Sequence, residues 1–333
     1  NATERTFPVV IDPIVYLSFD DVFVMNGLLN KNTTKVNKEL RVGRNLTNLT
    51  RTYIKPNYPT NIPMGSYIDS AYLVLGQDNY YQAPGADGIY INLYDCHNVS
   101  SWDPGSITWE NQPFYNADNG YLSSENCFLT SVLASSNEAE YNFNITASAK
   151  RWLRTGSNDG LMLASSDESE KTQIDFYSSR TSDSSLHPSL SIYYIEPSIS
   201  ATSWETDSQA KEGSLFRIAT DNAWTAYSNE NWISLSKTSG NGLDYSKIIV
   251  TANNSIFDRV GTVTVKMGDT VIGTITVTQY GKKPNLELDT TALSFNAGSS
   301  KQTVNITSNT TWSFSNLPEW ITVTPSEGSM NST

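Results

Sequence analysis

Apolar and polar side chains alternate along most of this chain, and the alternation predicts β-strands from end to end. The clearest stretch is GTVTVKMGDTVIGTITVTQY, in which threonines alternate with aliphatic residues on both sides of a turn at Gly268-Asp269. Because successive side chains of a strand point to opposite faces, this stretch predicts a β-hairpin with one buried face. The residues expected on that face are Val263, Val265, Ile275 and Val277.

The first two hundred residues show the same alternation in short segments separated by turn residues. The segments are SYIDSAYLVLG, GIYINLYDC, EYNFNIT, DGLMLAS, QIDFYSS and PSLSIYYI. One helix is predicted in ITASAKRWLRTG, with Thr146 as its N-cap and Gly156 as its stop. Its buried face would carry Ala149, Trp152 and Leu153. About ten strands and one short helix predict a single β-sandwich of the jelly-roll type.

A sequence motif near the middle of the chain recurs near its end. WTAYSNENWISLSKTSGNG begins at Trp224, and WSFSNLPEWITVTPSEGS begins 88 residues later at Trp312. A register kept over this length indicates tandem domains, and the strand pattern predicts that each is a small immunoglobulin-like β-sandwich. The expected domains are residues 1–197, 198–281 and 282–333. Since the second copy has no counterpart of the 248–279 half, we expect the sequence to be part of a longer protein.

The repeated unit resembles the BACON domain. The resemblance rests on the paired tryptophans, on Arg-Val-Gly-Thr at 259–262 and on the closing Ile-Thr-Val-Thr-Gln strand. It implies an immunoglobulin-like sandwich of the kind found in surface and secreted proteins of polysaccharide-degrading bacteria. Carbohydrate binding is implied by the family, and a spacer role agrees equally well with the residues.

The first 197 residues resemble the DNRLRE domain. The matching blocks are LRVG, NIPMGSYIDSAYLVL, WDPGSITWENQP, FNITASAKRWLRTGSNDGLML and FYSSRTSDSSLHPSLSIYY, in the order of that family. The resemblance implies an extracellular β-sandwich attached to larger surface proteins, and some relatives are regarded as carbohydrate-binding modules. Together the two resemblances place the protein outside a bacterial cell or on its surface.

Tryptophan is the residue type that the repeats share most visibly. We expect it to fill the space between sheets, because a large ring spanning two sheets is a common core element of β-sandwiches. The alternative for the repeated pair is a platform on which sugars stack. The tryptophans assigned to the core are Trp102, Trp109, Trp152, Trp224, Trp232, Trp312 and Trp320.

The net charge and the distribution of charged residues argue against several classes of binding partner. The net charge is −12 and charged residues make up only 17% of the chain, without a cluster of Lys and Arg. Nucleic acids and anionic membrane surfaces are therefore not expected partners. No apolar run is long enough to span a membrane, so we expect no membrane insertion of this segment.

The sequence contains no recognisable catalytic or cofactor motif. The two histidines, His97 and His187, lie in no metal-spaced array, so we expect neither a cofactor nor an enzyme activity. A glycoside hydrolase needs only two carboxylates, and it stays as an alternative. The acids considered for it are Asp20, Asp21, Asp103 and Glu110.

Two tyrosine-containing segments are the candidate glycan sites. Tyr80 and Tyr81 fall in a predicted loop with Asp78, Asn79 and Gln82, and their rings could stack on sugars while the polar residues bind hydroxyl groups. The alternative is that these rings cover the edge of the sandwich. The second segment, NADNG, is flanked by Tyr115 and Tyr121.

Calcium and a disulfide are further candidates. Structural calcium could bind the oxygens of Asp118, Asn119, Asp167 and Glu168, although neither segment has an EF-hand pattern and both could simply be solvated. Cys96 and Cys127 could form a disulfide or could be two buried thiols, and the sequence leaves both open.

The combined prediction is a non-catalytic array that binds polysaccharide through the first sandwich. Its partners would be a glycan and further domains of the same chain. The alternative is a spacer that holds a distal catalytic or adhesive domain away from the cell, stiffened by Pro197 and Pro284 in short linkers.

Overall fold

The computed structural model describes residues 14–15, 18–26, 37–57, 61–82, 84, 88–97, 101–113 and 127–331. Almost all of its regular structure is β-sheet, which confirms the predicted fold class. The contacts divide the chain into two compact units. The first falls within residues 1–197 together with 219–222, and the second comprises 198–218 and 223–333.

The first unit has eleven strands within its described part. They are β1 (Ile14–Val15), β2 (Phe19–Met25), β3 (Glu39–Asn45), β4 (Asn48–Pro56), β5 (Tyr67–Tyr81), β6 (Ile89–Asp95), β7 (Phe128–Ala134), β8 (Glu140–Asn144), β9 (Leu161–Ser165), β10 (Gln173–Tyr177) and β11 (Ser189–Ile195). One α-helix, α1 (Thr146–Thr155), follows β8, and a 3-10 turn occupies Ser184–Leu186.

Strand β5 links the two parts of this sandwich. The pairing order is β1-β11-β5-β10-β3-β4-β9-β6-β7, with β2 on β4 and β8 on β5. The first part of β5 pairs with β11 and β8, whereas its residues 77–81 pair with β10, with an irregularity in this pairing between Asp175 and Phe176. The inward residues of these strands and of α1 form one apolar core. Among its members are Leu40, Ile54, Leu73, Leu75, Ile91, Phe143, Trp152, Leu163, Ile174, Phe176 and Leu190.

Helix α1 has the predicted face and end but a different start. Ala149, Trp152 and Leu153 are buried, and Gly156 ends the helix in the left-handed conformation, with its N–H donating to the carbonyl of Trp152. Thr146 is not the N-cap, because it is already the first helical residue. Its N–H donates to Asn144 Oδ1 at 3.0 Å, so Asn144 satisfies one of the free donors of the first turn.

A second apolar cluster lies on the outer side of the same sheet. It is built from the outward residues of β2, β4, β6 and β9, together with Cys96 and Ile107: Val22, Val24, Tyr53, Tyr94, Met162 and Ala164. Trp102 and Trp109 are half-buried against this cluster and do not lie in the core between the sheets. This corrects their predicted place, and the reason is that an apolar outer face needs a cover, which the segment 101–113 provides.

The second unit begins with a complete small sandwich. Its strands are β12 (Ser198–Ile199), β13 (Ser203–Thr206), β14 (Lys211–Ala219), β15 (Ala223–Ser228), β16 (Ile233–Leu235), β17 (Ser239–Asn241), β18 (Asp244–Val250), β19 (Arg259–Met267) and β20 (Thr270–Gln279). They form one sheet in the order β12-β14-β18-β16 and another in the order β13-β20-β19-β15-β17. The predicted hairpin is confirmed, since β19 pairs with β20 and the four expected aliphatic residues are buried.

The second copy of the repeat differs from the first at one tryptophan. Its strands are β21 (Leu286–Leu288), β22 (Ile306–Ser308), β23 (Thr311–Ser313) and β24 (Glu327–Ser329). Trp312 is buried like Trp224, but Trp320 is 72% exposed, so its assignment to a core is wrong. In the first copy the guanidinium of Arg259 in β19 covers the Trp232 ring at 4.3 Å. In the described part of the second copy no such cation covers Trp320, whose ring makes an edge contact with the ring of Phe295 at 6.2 Å.

Each copy packs a tryptophan on a glycine across two strands. Trp224 pairs with Gly240, and 88 residues later Trp312 pairs with Gly328. A Cβ at Gly240 would approach the Trp224 ring to 2.7 Å, and a Cβ at Gly328 would approach the Trp312 ring to 2.5 Å. The repeated motif therefore preserves a close contact between a tryptophan ring and the backbone of a glycine.

We expect Gly240→Ala to destabilise the second unit by about 1–3 kcal/mol, because the added methyl overpacks against the indole. Gly298→Ala is the matched control, since a Cβ there would meet nothing within 4 Å. Calorimetric unfolding of both variants measures the effect. Equal transition temperatures for the two variants would contradict this account of the repeat.

A candidate glycan-binding face on the first unit

The segment that carries the candidate tyrosines is a strand and not a loop. Strand β5 continues to Tyr81, and its last residues pair with Gln173, Ile174 and Asp175 of β10. The prediction of a loop there is wrong, because main-chain pairing with β10 outweighs the Gly and Asp content of the segment. Gln82 follows the strand and is exposed.

The two neighbouring tyrosines face opposite ways. Tyr80 pairs with Ile174 and packs against the core, with its hydroxyl 3.5 Å from the carbonyl of Ala134. Tyr81 pairs with Gln173 on the outer side. Only Tyr81 therefore keeps the role that the sequence suggested for both, and Tyr80 fits the alternative of a ring that packs on the sandwich.

Strand register assembles a set of polar residues around Tyr81. Asn79 of β5 lies opposite Asp175 of β10, and Asp175 lies opposite Arg41 of β3. Tyr177 lies opposite Glu39 in the same way, and Asp78 interacts with the Tyr177 hydroxyl. We call this surface the polar face. It comprises Glu39, Arg41, Asp78, Asn79, Tyr81, Gln173, Asp175 and Tyr177.

The centre of the polar face is held by internal hydrogen bonds. Gln173 Nε2 donates to Asp175 Oδ1 at 2.7 Å, and these two residues are only 4% and 8% exposed. Arg41 Nη2 donates to Glu39 Oε1 at 2.7 Å, and Arg41 Nε lies 3.8 Å from Asp175 Oδ2. The floor of the face is therefore fixed, while Asp78 and Asn79 are exposed above it and Tyr81 is half-buried.

Burial changes the protonation of the central acid. It raises the pKa of Asp175 to about 6, an effect that the guanidinium of Arg41 and the hydrogen bond from Gln173 partly offset. Burial and the neighbouring carboxylate of Asp78 also raise the pKa of Tyr177. The face thus presents carboxyl groups, a guanidinium, two amides and two phenols.

These groups can form the contacts that a sugar requires. Each sugar hydroxyl can donate and accept a hydrogen bond, and the face offers acceptors on Asp78 and Asn79 and donors on Asn79 and Arg41. The ring of Tyr81 adds an apolar surface with a polar tip.

The remaining candidates lie elsewhere or have other partners. Tyr115, Tyr121, Asp118 and Asn119 fall outside the described residues. Asp167 accepts hydrogen bonds from Ser169 N and Oγ at 2.9 and 2.6 Å, which lower the pKa of Asp167. The Glu168 carboxylate pairs with Arg51 at 2.6 Å. In the described segments no group of three His, Cys, Asp or Glu residues is placed to hold a metal ion.

Both cysteines are free thiols in this structure. Cys96 is buried and Cys127 is half-buried, with its Sγ 3.9 Å from the carbonyl oxygen of His97. Burial raises the pKa of both thiols. Of the two readings left open by the sequence, the arrangement corresponds to packed thiols.

The acids considered for hydrolysis have structural partners where the contacts are described. Asp21 is fully buried, pairs with Arg180 at 2.7 Å and accepts a hydrogen bond from Ser179 N. Asp103 accepts a hydrogen bond from Gly105 N within its own turn. His187 Nε2 lies 2.8 Å from the carbonyl of Thr181.

Sequence reasoning missed half of the polar face. Gln173 and Asp175 alternate with the core residues Ile174 and Phe176, which indicates that they point outward. The sequence does not reveal that β10 lies between β5 and β3, so Arg41 and Glu39 could not be joined to Tyr81.

Comparisons with known proteins support the assignment of the repeats. Residues 222–280 match the BACON family model, described as "Putative binding domain, N-terminal", and residues 285–333 match BACON_2, described as "Viral BACON domain". No DNRLRE match is found, so the resemblance of the first domain stays a prediction. No curated protein matches the chain. Among the described residues no helix is long and apolar enough to span a membrane.

Two solved structures are similar to parts of the chain. A Bacteroides ovatus GH5 xyloglucanase, solved with a XXXG heptasaccharide, is 29% identical with a TM-score of 0.23, over 26% of this chain and 19% of the xyloglucanase. A protein from Bacteroides thetaiotaomicron, solved by NMR, is 15% identical with a TM-score of 0.18, over 24% of this chain and 77% of its own. The chain thus spans about a fifth of the xyloglucanase.

Asp175→Asn is expected to change the pH dependence of stability. With its pKa raised from 3.8 to about 6, the folded carboxyl retains its proton where the unfolded one has lost it, so wild-type stability falls as pH rises through that window. Relative to wild type, the variant should gain about 1–3 kcal/mol between pH 3.5 and 7. Unfolding of the first unit at several pH values measures this, with Asp69→Asn on the exposed side of β5 as control. A gain that does not vary with pH would contradict the argument.

Proposed function

We propose that this protein is a non-catalytic carbohydrate-binding protein of a bacterial surface or exterior, and that the polar face is its binding site. The description of the matched family as a binding domain supports a binding role for the chain. The chemistry of the polar face supports a sugar as the ligand.

One observation carries the proposal, namely that strand register gathers ring, amide, guanidinium and carboxylate groups on one surface. Three strands, β3, β5 and β10, each contribute outward polar residues to it. Side chains held on strands are more precisely placed than side chains on loops. A preorganised set of this kind loses less conformational entropy when a ligand binds.

The partners of the acids favour binding over bond cleavage. A glycosidase needs two carboxyl groups with oxygens free to act on the scissile bond or on water. The oxygens of Asp175 face Gln173 and Arg41, and the carboxylate of Glu39 accepts a hydrogen bond from Arg41. In this proposal the acids shape the face and no reaction takes place on it. Further domains of the same protein would then act on, or attach to, the glycan held here.

We expect Tyr81→Ala to weaken glycan binding by about threefold to tenfold, the range for loss of one aromatic contact. The matched control is Tyr193→Ala, because Tyr193 is an exposed tyrosine on β11 outside the polar face. Affinity electrophoresis of the whole chain in gels with dissolved plant, algal or host polysaccharides provides the measurement.

Four outcomes are informative. Retardation of wild type and Tyr193→Ala with weaker retardation of Tyr81→Ala supports the proposal. Equal retardation of all three proteins excludes the polar face as the site. No retardation in any polysaccharide favours the spacer role, and release of reducing ends from the polysaccharide would contradict the absence of catalysis.

A further inference from the structure

Strand β7 is a long edge strand of the first unit without a charged residue. It ends the pairing order of its sheet, and β6 is its only partner strand within the described part of the chain. Its seven residues, FLTSVLA, include neither a charged side chain nor a proline. An edge of this kind can accept a further strand through its main-chain groups.

The other edge strands in the described segments are shorter or carry acids. Strand β1 has two residues, and the edge strands β12, β13, β16 and β17 of the second unit have two to four. Strand β2 is as long as β7 but includes Asp20 and Asp21, and β8 includes Glu140. Short length and charge are two means by which proteins keep sheet edges from pairing, and β7 uses neither.

The outward side chains beside this edge are apolar at both ends of β7. Leu133 lies opposite Tyr90 of β6 near one end, and Phe128 lies at the other end. These three side chains are 46%, 53% and 49% exposed, respectively, and the exposed Ser131 lies between the two ends. The one charged residue of β6 and β7 is Asp95, which is buried. An uncharged and partly apolar surface therefore adjoins the free edge.

A bulge near the start of β7 sets which of its side chains point outward. Thr130 pairs with Leu93 and Phe128 pairs with Tyr94, so Leu129 is an extra residue without an opposite partner on β6. Phe128 consequently lies on the outer side of the sheet, where its ring makes an edge contact with the ring of Tyr94 at 5.9 Å.

This spacing makes β7 complementary to an antiparallel copy of itself. With a two-fold axis at Ser131, the middle residue of the strand, Thr130 lies opposite Val132 of the second copy. If Leu129 is skipped as it is in the pairing with β6, Phe128 lies opposite Leu133 of the second copy. Apolar side chains then meet at both ends of the paired strands, and small polar side chains meet at the centre.

The charge of the chain also favours contact at this edge. With a net charge of −12, two copies of the chain repel each other. They approach at the lowest cost where neither presents a charged side chain, and the segment Phe128–Ala134 meets that condition. A strongly basic partner would gain no ion pair from this segment, so a second copy fits it better.

We propose that two copies of this chain associate by antiparallel pairing of their β7 strands about Ser131. The two sheets join into one, and the apolar ends of both strands become covered. Within its described part each copy has one edge of this kind, so the contact is isologous and association stops at a dimer. No residue of β7 belongs to the polar face, and the dimer is therefore independent of the proposed glycan site.

Sedimentation equilibrium of the whole chain over a wide range of protein concentration tests this inference. Because position 131 faces its own copy, Ser131→Lys and Ser131→Glu each bring two like charges together, whereas an equimolar mixture of the two variants brings opposite charges together. Thr262→Lys and Thr262→Glu are the matched controls, since Thr262 is an exposed hydroxyl residue on β19, an interior strand of the second unit.

We expect the wild type to form dimers and no larger species. Each Ser131 variant alone should raise the dimer dissociation constant about tenfold or more, because like charges facing each other oppose pairing. The mixture should recover the wild-type value, and the Thr262 variants should keep it. Matching circular dichroism spectra of all variants exclude misfolding as the cause.

Three results would overturn the inference. One is a wild-type chain that stays monomeric at every concentration. Another is association that neither Ser131 variant weakens, which would place the contact on another surface. The third is a mixture that associates no better than its components, which would show that position 131 does not face its own copy.

Discussion

In strands such as β10 and β19, apolar side chains that face the core alternate with polar side chains that face away from it, and this alternation is the constraint on which the structure depends. In β19, Val263 and Val265 lie in the core while Thr262 is exposed and Thr264 half-buried on the outer side. In β10, Ile174 and Phe176 lie in the core while Gln173 and Asp175 form the buried floor of the polar face. Burial of the inner rows supplies the main favourable free energy of folding. It also fixes the register, because a slip of one residue would exchange the two sides. The outer rows are thereby held in place without contributing to the core.

The surface to which we assign glycan binding is built from such alternating rows. The polar face draws on three strands and has two tyrosines, Tyr81 and Tyr177, among groups that can form hydrogen bonds with a sugar. It also contains an ion pair between Arg41 and Glu39 and the buried acid Asp175.

Much of the architecture follows from local pattern. Period-two alternation and glycine positions are local signals, and they predict the hairpin of β19 and β20 and the end of α1 at Gly156. The repeat at an offset of 88 residues can also be read directly from the sequence. The polar face was only half predictable, since Tyr81 and Arg41 are 40 residues apart and share one surface only because β10 pairs with both of their strands. Trp320 was misassigned for a related reason. Its sequence context matches that of Trp232, but Trp232 is covered by residues of β19 that are distant in sequence, among them Arg259, whose guanidinium lies over its ring, and Gly261, against which the ring packs.

The central claim is that glycan contacts lie on outward rows of strands and not on the connecting loops. Amide chemical shifts of the isotope-labelled chain, titrated with an oligosaccharide from a polysaccharide that retards it, test this most directly. The account predicts that perturbed amides cluster at residues 39–41, 78–81 and 173–177. Perturbations confined to the segments between strands, or at the exposed indole of Trp320, would contradict it.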